Sequence, residues 1–200
     1  MFSYIFRSLT AFIFCFLLIT SSFGRSGDSF EKDYLTLKKI PADYRSFGAV
    51  CEQVARLRLK ESYDPKKFKF LIGLEYRNSR RVLGEVDLIV FSKKDNKVAI
   101  VGEVKCWKDL QAAFKKAKKQ LNRFIKAMEG NEKITFHPKE PIEIRFEKSL
   151  FLGTKKMYFS QRVEDKNPFE NNIGLTLSQV KKLRKKLQAC QRDQRCPTLK

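Results

Sequence analysis

Apolar residues along the chain follow first a helix-like and then a strand-like spacing. From Ser46 onward they recur every three or four positions, which predicts an amphipathic helix. Three β-rich runs follow, over residues 68–77, 82–91 and 98–107, separated by the short turn-like stretches NSR and SKKDNK. The pattern predicts an antiparallel meander of three strands preceded by a helix.

The second half of the chain opens with a longer helical pattern. Asp109 stands near the N-cap of DLQAAFKKAKKQLNRFIKAMEG and Gly130 closes it. Beyond it, PIEIRF and SLFLGT are strand-like, and LSQVKKLRKKLQAC predicts a basic helix. We therefore expect an α/β protein: a helix, a three-stranded antiparallel meander, a second helix, one or more further strands and a basic C-terminal helix.

The first 24 residues have the layout of a secretory signal peptide. One basic residue, Arg7, precedes a short apolar run over 11–19, and small residues end at Gly24. We expect cleavage before Arg25 and a secreted or periplasmic protein with no stable membrane anchor. An uncleaved anchor stays open as the alternative, although the run is short for a bilayer span.

The remaining chain divides by composition into three parts. Residues 25–45 are polar with scattered aromatics and are predicted to be a lead-in segment. Residues 46–160 contain the helix and strand patterns of the core, and 161–200 form a basic C-terminal extension.

The net charge of +20 points to polyanionic partners. It arises from 42 Lys and Arg against 22 Asp and Glu, and loss of residues 1–24 lowers it only to +19 because they carry one arginine and no acid. Nucleic acid and anionic membrane surfaces are the partners that such a charge favours. A basic surface that serves only solubility is the alternative.

Export changes the meaning of the cysteines. Four remain after cleavage, and in an oxidising compartment they permit two disulfides in three connectivities. Cys190 and Cys196 could close a small loop near the chain end. Cys51 and Cys106 adjoin Glu52 and Lys105 in sequence, which suggests that oxidation is needed for the site described next.

Two neighbouring strands carry acids among apolar residues. If 82–91 and 98–107 form a hairpin, Asp87 faces Glu103 and Glu85 faces Lys105, with all four side chains on one face. Opposed carboxylates repel unless a cation lies between them, and Mg²⁺ suits a pair of carboxylates. The alternative is a surface hairpin with a salt bridge from Glu85 to Lys105 and two solvated acids.

These strands resemble those of the PD-(D/E)XK nuclease superfamily, especially its small Holliday-junction-resolvase-like and RecB-like branch. GEVD, at 84–87, is similar to the Gly-Glu-hydrophobic-Asp strand of that branch, and EVK, at 103–105, to its Glu-x-Lys strand. No proline precedes Asp87, although one is common there.

Both helices extend the resemblance, which covers about residues 46–128. Gly48, Glu52 and Ala55 match the helix motif that places a glutamate by the metal, although a solvated Glu52 at the helix edge is also compatible with the pattern. Gln120 and Phe124 resemble a Gln-x-x-x-Tyr motif, with Phe where Tyr is usual. The resemblance implies a restriction-endonuclease-like core.

The resemblance also implies metal-assisted phosphodiester hydrolysis. Asp87, Glu103 and the backbone carbonyl of Val104 would bind Mg²⁺ or Mn²⁺, with Glu52 contributing directly or through water. An exported relative would act as a hydrolase, a deoxyribonuclease or endonuclease of foreign nucleic acid.

The other matched residues would support that reaction. Lys105 would position the attacking water or stabilise charge on the phosphate, Gln120 would orient Lys105 or a substrate phosphate, and Glu85 would restrain Lys105. The single histidine, His137, excludes two-histidine ribonuclease chemistry.

The basic residues of the second helix predict the substrate. We expect the phosphates of a nucleic acid, DNA in the family's manner, to contact this helix without base-specific recognition. The expected contacts are Lys115, Lys116, Lys119 and Arg123. A nucleic-acid-binding protein that no longer cuts, and a membrane-active protein acting through VKKLRKKL, are the alternatives.

Overall fold

In the computed structural model, which describes residues 25–164 and 166–198, a mixed six-stranded sheet separates two layers of helices. The predicted signal peptide lies outside the described residues. The helices are α1 (Arg25–Leu37), α2 (Phe47–Ser62), α3 (Leu110–Glu129) and α4 (Leu177–Arg192). The strands are β1 (Phe68–Arg77), β2 (Val82–Ser92), β3 (Lys97–Val104), β4 (Thr135–Pro138), β5 (Lys155–Ser160) and β6 (Asn171–Asn172).

The sheet has the strand order β4-β1-β2-β3-β5-β6. The pairs β4–β1, β1–β2 and β2–β3 are antiparallel, so the predicted meander is present, while β5 adds parallel to β3 and β6 parallel to β5. Helices α1, α2 and α4 share one apolar cluster with the sheet, and α3 packs in a second cluster on the opposite face. The α/β class is thereby confirmed.

The ends of the predicted helices follow their capping residues. The side chain of Ser46 accepts a hydrogen bond from the Ala49 N–H at 3.2 Å, and Asp109 Oδ1 accepts one from the Ala112 N–H at 2.9 Å. These contacts satisfy N–H groups that a helix leaves unpaired at its start. Gly130 is the C-cap of α3, where the sequence predicts its end.

The segment between α3 and β5 differs from the prediction. Neither PIEIRF nor SLFLGT forms a strand: the first is irregular, with a bend at Glu143, and the second contributes to a 3₁₀ helix over Lys148–Phe151. Ile142 and Ile144 nevertheless pack against the cluster beneath α3. The alternation in PIEIRF therefore reflects one apolar side, which a covering segment needs as much as a strand does.

Residues 25–45 are part of the packed structure rather than a simple lead-in. They contain α1, and Leu37 and Tyr44 are fully buried in the cluster formed with α2. The Tyr44 hydroxyl donates to the Leu37 carbonyl at 2.7 Å. The C-terminal extension packs in the same cluster through Leu183 and Leu187 of α4. None of the described helices is both long and apolar enough to cross a bilayer.

The regular alternation of side chains breaks in the middle of the meander. Val86 belongs to the cluster beneath α3 and Leu88 to the cluster beneath α2, although residues two apart in a strand should share a face. On β1 the same change occurs between Ile72 and Leu74, across Gly73, whose φ is +71°. Because of this break, the side chains of Glu85, Asp87, Glu103 and Lys105 do not all face one side of the sheet, which is where the hairpin geometry had predicted them.

Candidate active site

Three of the predicted residues meet at the open end of the β2–β3 hairpin. The Lys105 ammonium donates to Glu103 Oε2 at 2.7 Å and to Asp87 Oδ2 at 2.9 Å. Glu103 is fully buried and Asp87 is 7% exposed. The last pair in the β2–β3 ladder is Leu88 with Gly102, so Asp87 and Glu103 are the next residues on their two strands.

The backbone helps to hold this cluster. Strand β3 ends at Val104, three residues earlier than predicted, so Lys105 begins the segment that leaves the sheet. The Val104 N–H donates to Asp87 Oδ2 at 2.9 Å, and the Lys105 N–H donates to the Phe159 carbonyl at 2.9 Å. The Asp87 carboxylate thus fills the place of a ladder partner at the end of β3.

The cluster joins two acidic side chains, Asp87 and Glu103, to one basic side chain, Lys105. Burial raises the pKa of Glu103 to about 9, with a further contribution from the Asp87 charge, while Lys105 acts in the opposite direction. Burial lowers the pKa of Lys105, but the two carboxylates outweigh it and raise that pKa. Glu103 Oε1 is buried with no hydrogen-bond partner among the described residues. One ammonium therefore contacts the carboxyl groups of both acids, and one buried oxygen is left without a partner.

Glu52 and Glu85 form a second acidic group on the α2 side of Asp87. Glu85 Oε1 lies 2.6 Å from the Lys139 Nζ, so its ion-pair partner is Lys139 and not Lys105 as predicted. Burial raises the pKa of Glu52 to about 8, assisted by the charges of Asp87 and Glu85. The Asp87 charge acts on both Glu52 and Glu103, which makes it the central acid of the site.

Gly73 makes room for the ion pair between Glu85 and Lys139. A Cβ atom at position 73 would lie 2.6 Å from Lys139 Cδ and 3.1 Å from Glu85 Oε1. The Lys139 N–H also donates to the Gly73 carbonyl at 2.9 Å. Lys139 follows β4, far along the chain from the acids, and no local signal in the sequence predicts its place at the site.

The described part of the chain contains two disulfides, and one of them borders the site. Cys51 of α2 is bonded to Cys106, so the residues next to Glu52 and Lys105 are covalently connected. Cys190 is bonded to Cys196 at the end of α4. All four cysteines of these two bonds are buried.

Gln120 and an unpredicted tyrosine lie on the α3 side of the sheet, and no contact joins Gln120 to the acids among the described residues. Gln120 Oε1 is buried without a hydrogen-bond partner among the described residues. Tyr76 of β1 packs edge-on against Phe124 with 5.0 Å between ring centroids, and its hydroxyl accepts from Arg123 Nε at 3.4 Å. Burial raises the Tyr76 pKa, and the Glu103 charge contributes. The phenol hydroxyl that Phe124 lacks is therefore present on its neighbour Tyr76.

The basic residues of α3 and α4 lie on different layers. Those predicted to contact phosphates are exposed on α3: Lys115, Lys116, Lys119 and Arg123. On α4, Lys186 Nζ pairs with Glu31 at 2.7 Å, and Arg184 donates to the Arg45 carbonyl. Two of the α4 cations are therefore engaged by Glu31 of α1 and by the backbone at Arg45, whereas the α3 lysines are available to a ligand.

The donor set suits a magnesium ion held by two carboxylates. Asp87 and Glu103 converge on a single cation, the Lys105 ammonium, and the free Glu103 Oε1 is a buried oxygen without a partner. Mg²⁺ is commonly bound by one or two carboxylates and several waters. Within residues 25–164 and 166–198, no group of three or more acidic, histidine or cysteine side chains is arranged to hold a metal, so Glu52 would not be a third direct ligand in this arrangement.

Comparison with known proteins identifies no family for this chain. No protein-family model, no curated protein and no solved structure matches it.

Proposed function

We propose that this protein is an exported, metal-dependent nuclease with a restriction-endonuclease-like core of the PD-(D/E)XK type, hydrolysing phosphodiester bonds of DNA with little sequence specificity. The observation that carries the proposal is the Lys105 ammonium held between the buried carboxylates of Asp87 and Glu103. Paired buried acids of this kind destabilise a strand end, and ionisable groups perturbed in this way are concentrated at functional sites.

Asp87 and Glu103 would hold Mg²⁺ or Mn²⁺ together with the Val104 carbonyl, and Glu52 would contribute through water. The bound metal would supply a Lewis acid that polarises the phosphate and lowers the pKa of a water molecule. Lys105 keeps the two carboxylates together before the metal binds. Its ammonium would be free to donate to a phosphate oxygen where a bound metal occupies the two carboxylates in its place.

The α3 lysines and Arg123 would hold the substrate through its phosphates. They are exposed and lie on the helix that also carries Gln120. Lysine contacts of this sort give strong, salt-sensitive binding that does not depend on base sequence. With the oxidised cysteines, this favours an enzyme that acts on nucleic acid outside the cytosol.

Cleavage of supercoiled plasmid and linear DNA by residues 25–200 is the direct test. We expect cleavage in Mg²⁺ or Mn²⁺, none in EDTA, and a loss of at least about 100-fold in Lys105→Ala and Asp87→Asn, the scale on which removal of an electrostatic catalytic group acts. Lys181→Ala, an exposed lysine of α4, is the matched control and should cut normally. Absence of cutting with either metal would contradict the enzymatic proposal.

A non-catalytic nucleic-acid-binding protein is the second candidate. It is favoured by the arrangement of the acids in the described part of the chain, where Lys105 already satisfies Asp87 and no three-ligand metal group is formed. Salt-sensitive DNA binding without cleavage in either metal, equal in wild type and Lys105→Ala, would select this candidate.

A further inference from the structure

Trp107 is the single tryptophan of the chain and is placed beside the site with its ring open to solvent. It follows Lys105 by two residues and is 43% exposed. A lone exposed apolar side chain is ordinary on a protein surface and by itself indicates nothing. Its fixed backbone and its charged surroundings make this one unusual.

The backbone of Trp107 is fixed from two directions. Cys106, the preceding residue, is disulfide-bonded to Cys51 of α2. The Trp107 carbonyl accepts a hydrogen bond from Gln161 Nε2 at 2.7 Å. Asp109, two residues further on, caps α3. The ring therefore extends from a rigid segment, which keeps the entropic cost of immobilising it on binding low.

The surroundings of the ring are positively charged. Lys116 of α3 places its Nζ 4.7 Å from the centroid of the indole, in a cation–π contact. Lys108 and Lys115 are exposed nearby in the sequence, on the connection to α3 and on its first turns. An aromatic ring with ammonium groups around it offers both a stacking surface and phosphate contacts.

We propose that Trp107 is a stacking platform for an unpaired base, and that the site therefore takes single-stranded nucleic acid or an unpaired stretch of a duplex. Every base has a π face, so an exposed indole binds single strands without sequence preference. The bases of a duplex are already stacked on one another and must be unpaired before they can reach such a ring. Lys116 and Lys115 would contact the phosphates on either side of the stacked base.

This inference deepens the proposed function by naming the substrate class, and its link to cleavage rests on that function. The binding itself can be tested alone, in EDTA, because Trp107 is its own reporter. We expect a twelve-residue oligodeoxythymidylate to quench the fluorescence of wild-type protein. An abasic strand of the same length, which keeps the phosphates and removes the bases, and a blunt duplex should both fail to quench it.

Variants at position 107 are compared by the anisotropy of a dye-labelled oligodeoxythymidylate. Trp107→Ala and Trp107→Leu should weaken binding by roughly 5- to 150-fold, the range measured for loss of one stacked base, whereas Trp107→Phe retains most of the affinity. Trp107→Leu keeps an apolar surface without a π face and so separates stacking from general hydrophobicity. Leu152→Ala, a more exposed apolar residue elsewhere, is the control and should bind normally.

Equal binding of the thymidylate and abasic strands, without quenching, would overturn the inference. So would a fluorescence change with phosphatidylglycerol vesicles but none with the oligonucleotide, which would assign Trp107 to a membrane surface. Quenching by the oligonucleotide in a protein that cuts no DNA in any metal would support the stacking inference and reject the nuclease function. The stacking role of Trp107 and the nuclease function can therefore be rejected independently of each other.

Discussion

The disulfide between Cys51 and Cys106 connects α2 to the chain immediately beyond β3. One of its residues precedes Glu52 and the other follows Lys105, so the bond joins the two sides of the acidic site. Their Cα atoms are 6.5 Å apart, and the bond closes a loop with a sequence separation of 55. On the proposed function, a secreted enzyme built in this way would depend on an oxidising environment for the geometry of its site.

Loss of this disulfide should impair both stability and activity. For a loop of this length, the chain-entropy relation predicts that Cys51→Ala with Cys106→Ala lowers the free energy of unfolding by about 4 kcal/mol. Urea unfolding measures that change. On the proposed function, DNA cleavage should fall in parallel, and dithiothreitol should reproduce the loss in wild type.

Cys190→Ala with Cys196→Ala is the matched control, because its loop has a sequence separation of only 6 and lies at the end of α4. It should lose about 2 kcal/mol and keep full activity when folded. Equal cleavage with and without reductant would contradict a role for the Cys51–Cys106 bond in the site.

Glu103→Gln should separate stability from metal binding. Because the pKa of Glu103 is raised to about 9, the substitution removes a buried charge next to Asp87 only in alkaline solution, so in EDTA we expect unchanged thermal stability at neutral pH and higher stability near pH 9. In wild type, Mg²⁺ at 100 times its Kd should add about 2.7 kcal/mol to the free energy of unfolding. The variant should lose this increment. A clear loss of stability in EDTA would show that Glu103 serves the fold instead of a cation.

The metal-free protein should become less stable as the pH rises. Glu52 and Glu103 have pKa values raised from the ordinary 4.5 to about 8 and about 9 by burial and by neighbouring acids. Between pH 4.5 and about pH 9 the folded state holds more protons than the unfolded state, so the free energy of unfolding falls with increasing pH. Below the ordinary value both states are protonated and the penalty is absent.

Urea titrations in EDTA across this range, on wild type and on the double variant Glu52→Gln and Glu103→Gln, measure the effect. The difference between the two proteins should grow from acid to alkaline pH, and Mg²⁺ should reduce it. A difference that does not change with pH would mean that neither carboxyl has a raised pKa.

The sequence predicted the parts of this fold that depend on local signals. The caps Asp109 and Gly130, the start of α2 near Ser46 and the order of the meander strands follow from side chains that act within a few residues. The placement of Asp87 and Glu103 next to each other followed from hairpin geometry. These features need no knowledge of distant segments.

What the sequence could not predict depends on contacts between distant segments. The alternation on β2 breaks between Val86 and Leu88, so Glu85 does not share the contacts of Lys105, and its actual partner, Lys139, follows α3 in the chain. PIEIRF has the alternation of a strand, but it packs Ile142 and Ile144 against an apolar cluster without joining a ladder. The period of a pattern gives the apolar side of a segment and not its hydrogen-bond partners.

Gly73→Ala should disturb the site more than a comparable glycine elsewhere. Gly73 and Gly153 have φ values of +71° and +76°, so alanine is strained at both by about 1–2 kcal/mol. Only at Gly73 would the new methyl group displace Lys139 from Glu85, since nothing lies within 4 Å of a Cβ at Gly153. We expect Gly73→Ala to lose up to about 1 kcal/mol more, the scale of a partly exposed ion pair.

The variant Lys139→Ala tests whether displacement of Lys139 causes the extra cost of Gly73→Ala. In that background the extra cost of Gly73→Ala should disappear, because the side chain that it displaces is no longer present. Chemical unfolding of the four proteins gives the coupling. An extra cost that persists without Lys139 would place the strain in the backbone of β1.

The salt dependence of DNA binding should distinguish the two basic helices. Removing one phosphate-binding cation lowers the slope of log K against log salt by about 0.9 on duplex DNA, so Lys115→Ala with Lys119→Ala should reduce it by about 1.8. Lys181→Ala with Lys185→Ala removes the same charge from exposed positions on α4 and should leave the slope nearly unchanged. Both pairs lower the net charge equally, so a general electrostatic attraction would affect them alike. Equal reductions would therefore assign binding to the overall charge of the protein, whereas a reduction confined to α3 would place the DNA backbone along the helix that borders Glu103 and Lys105.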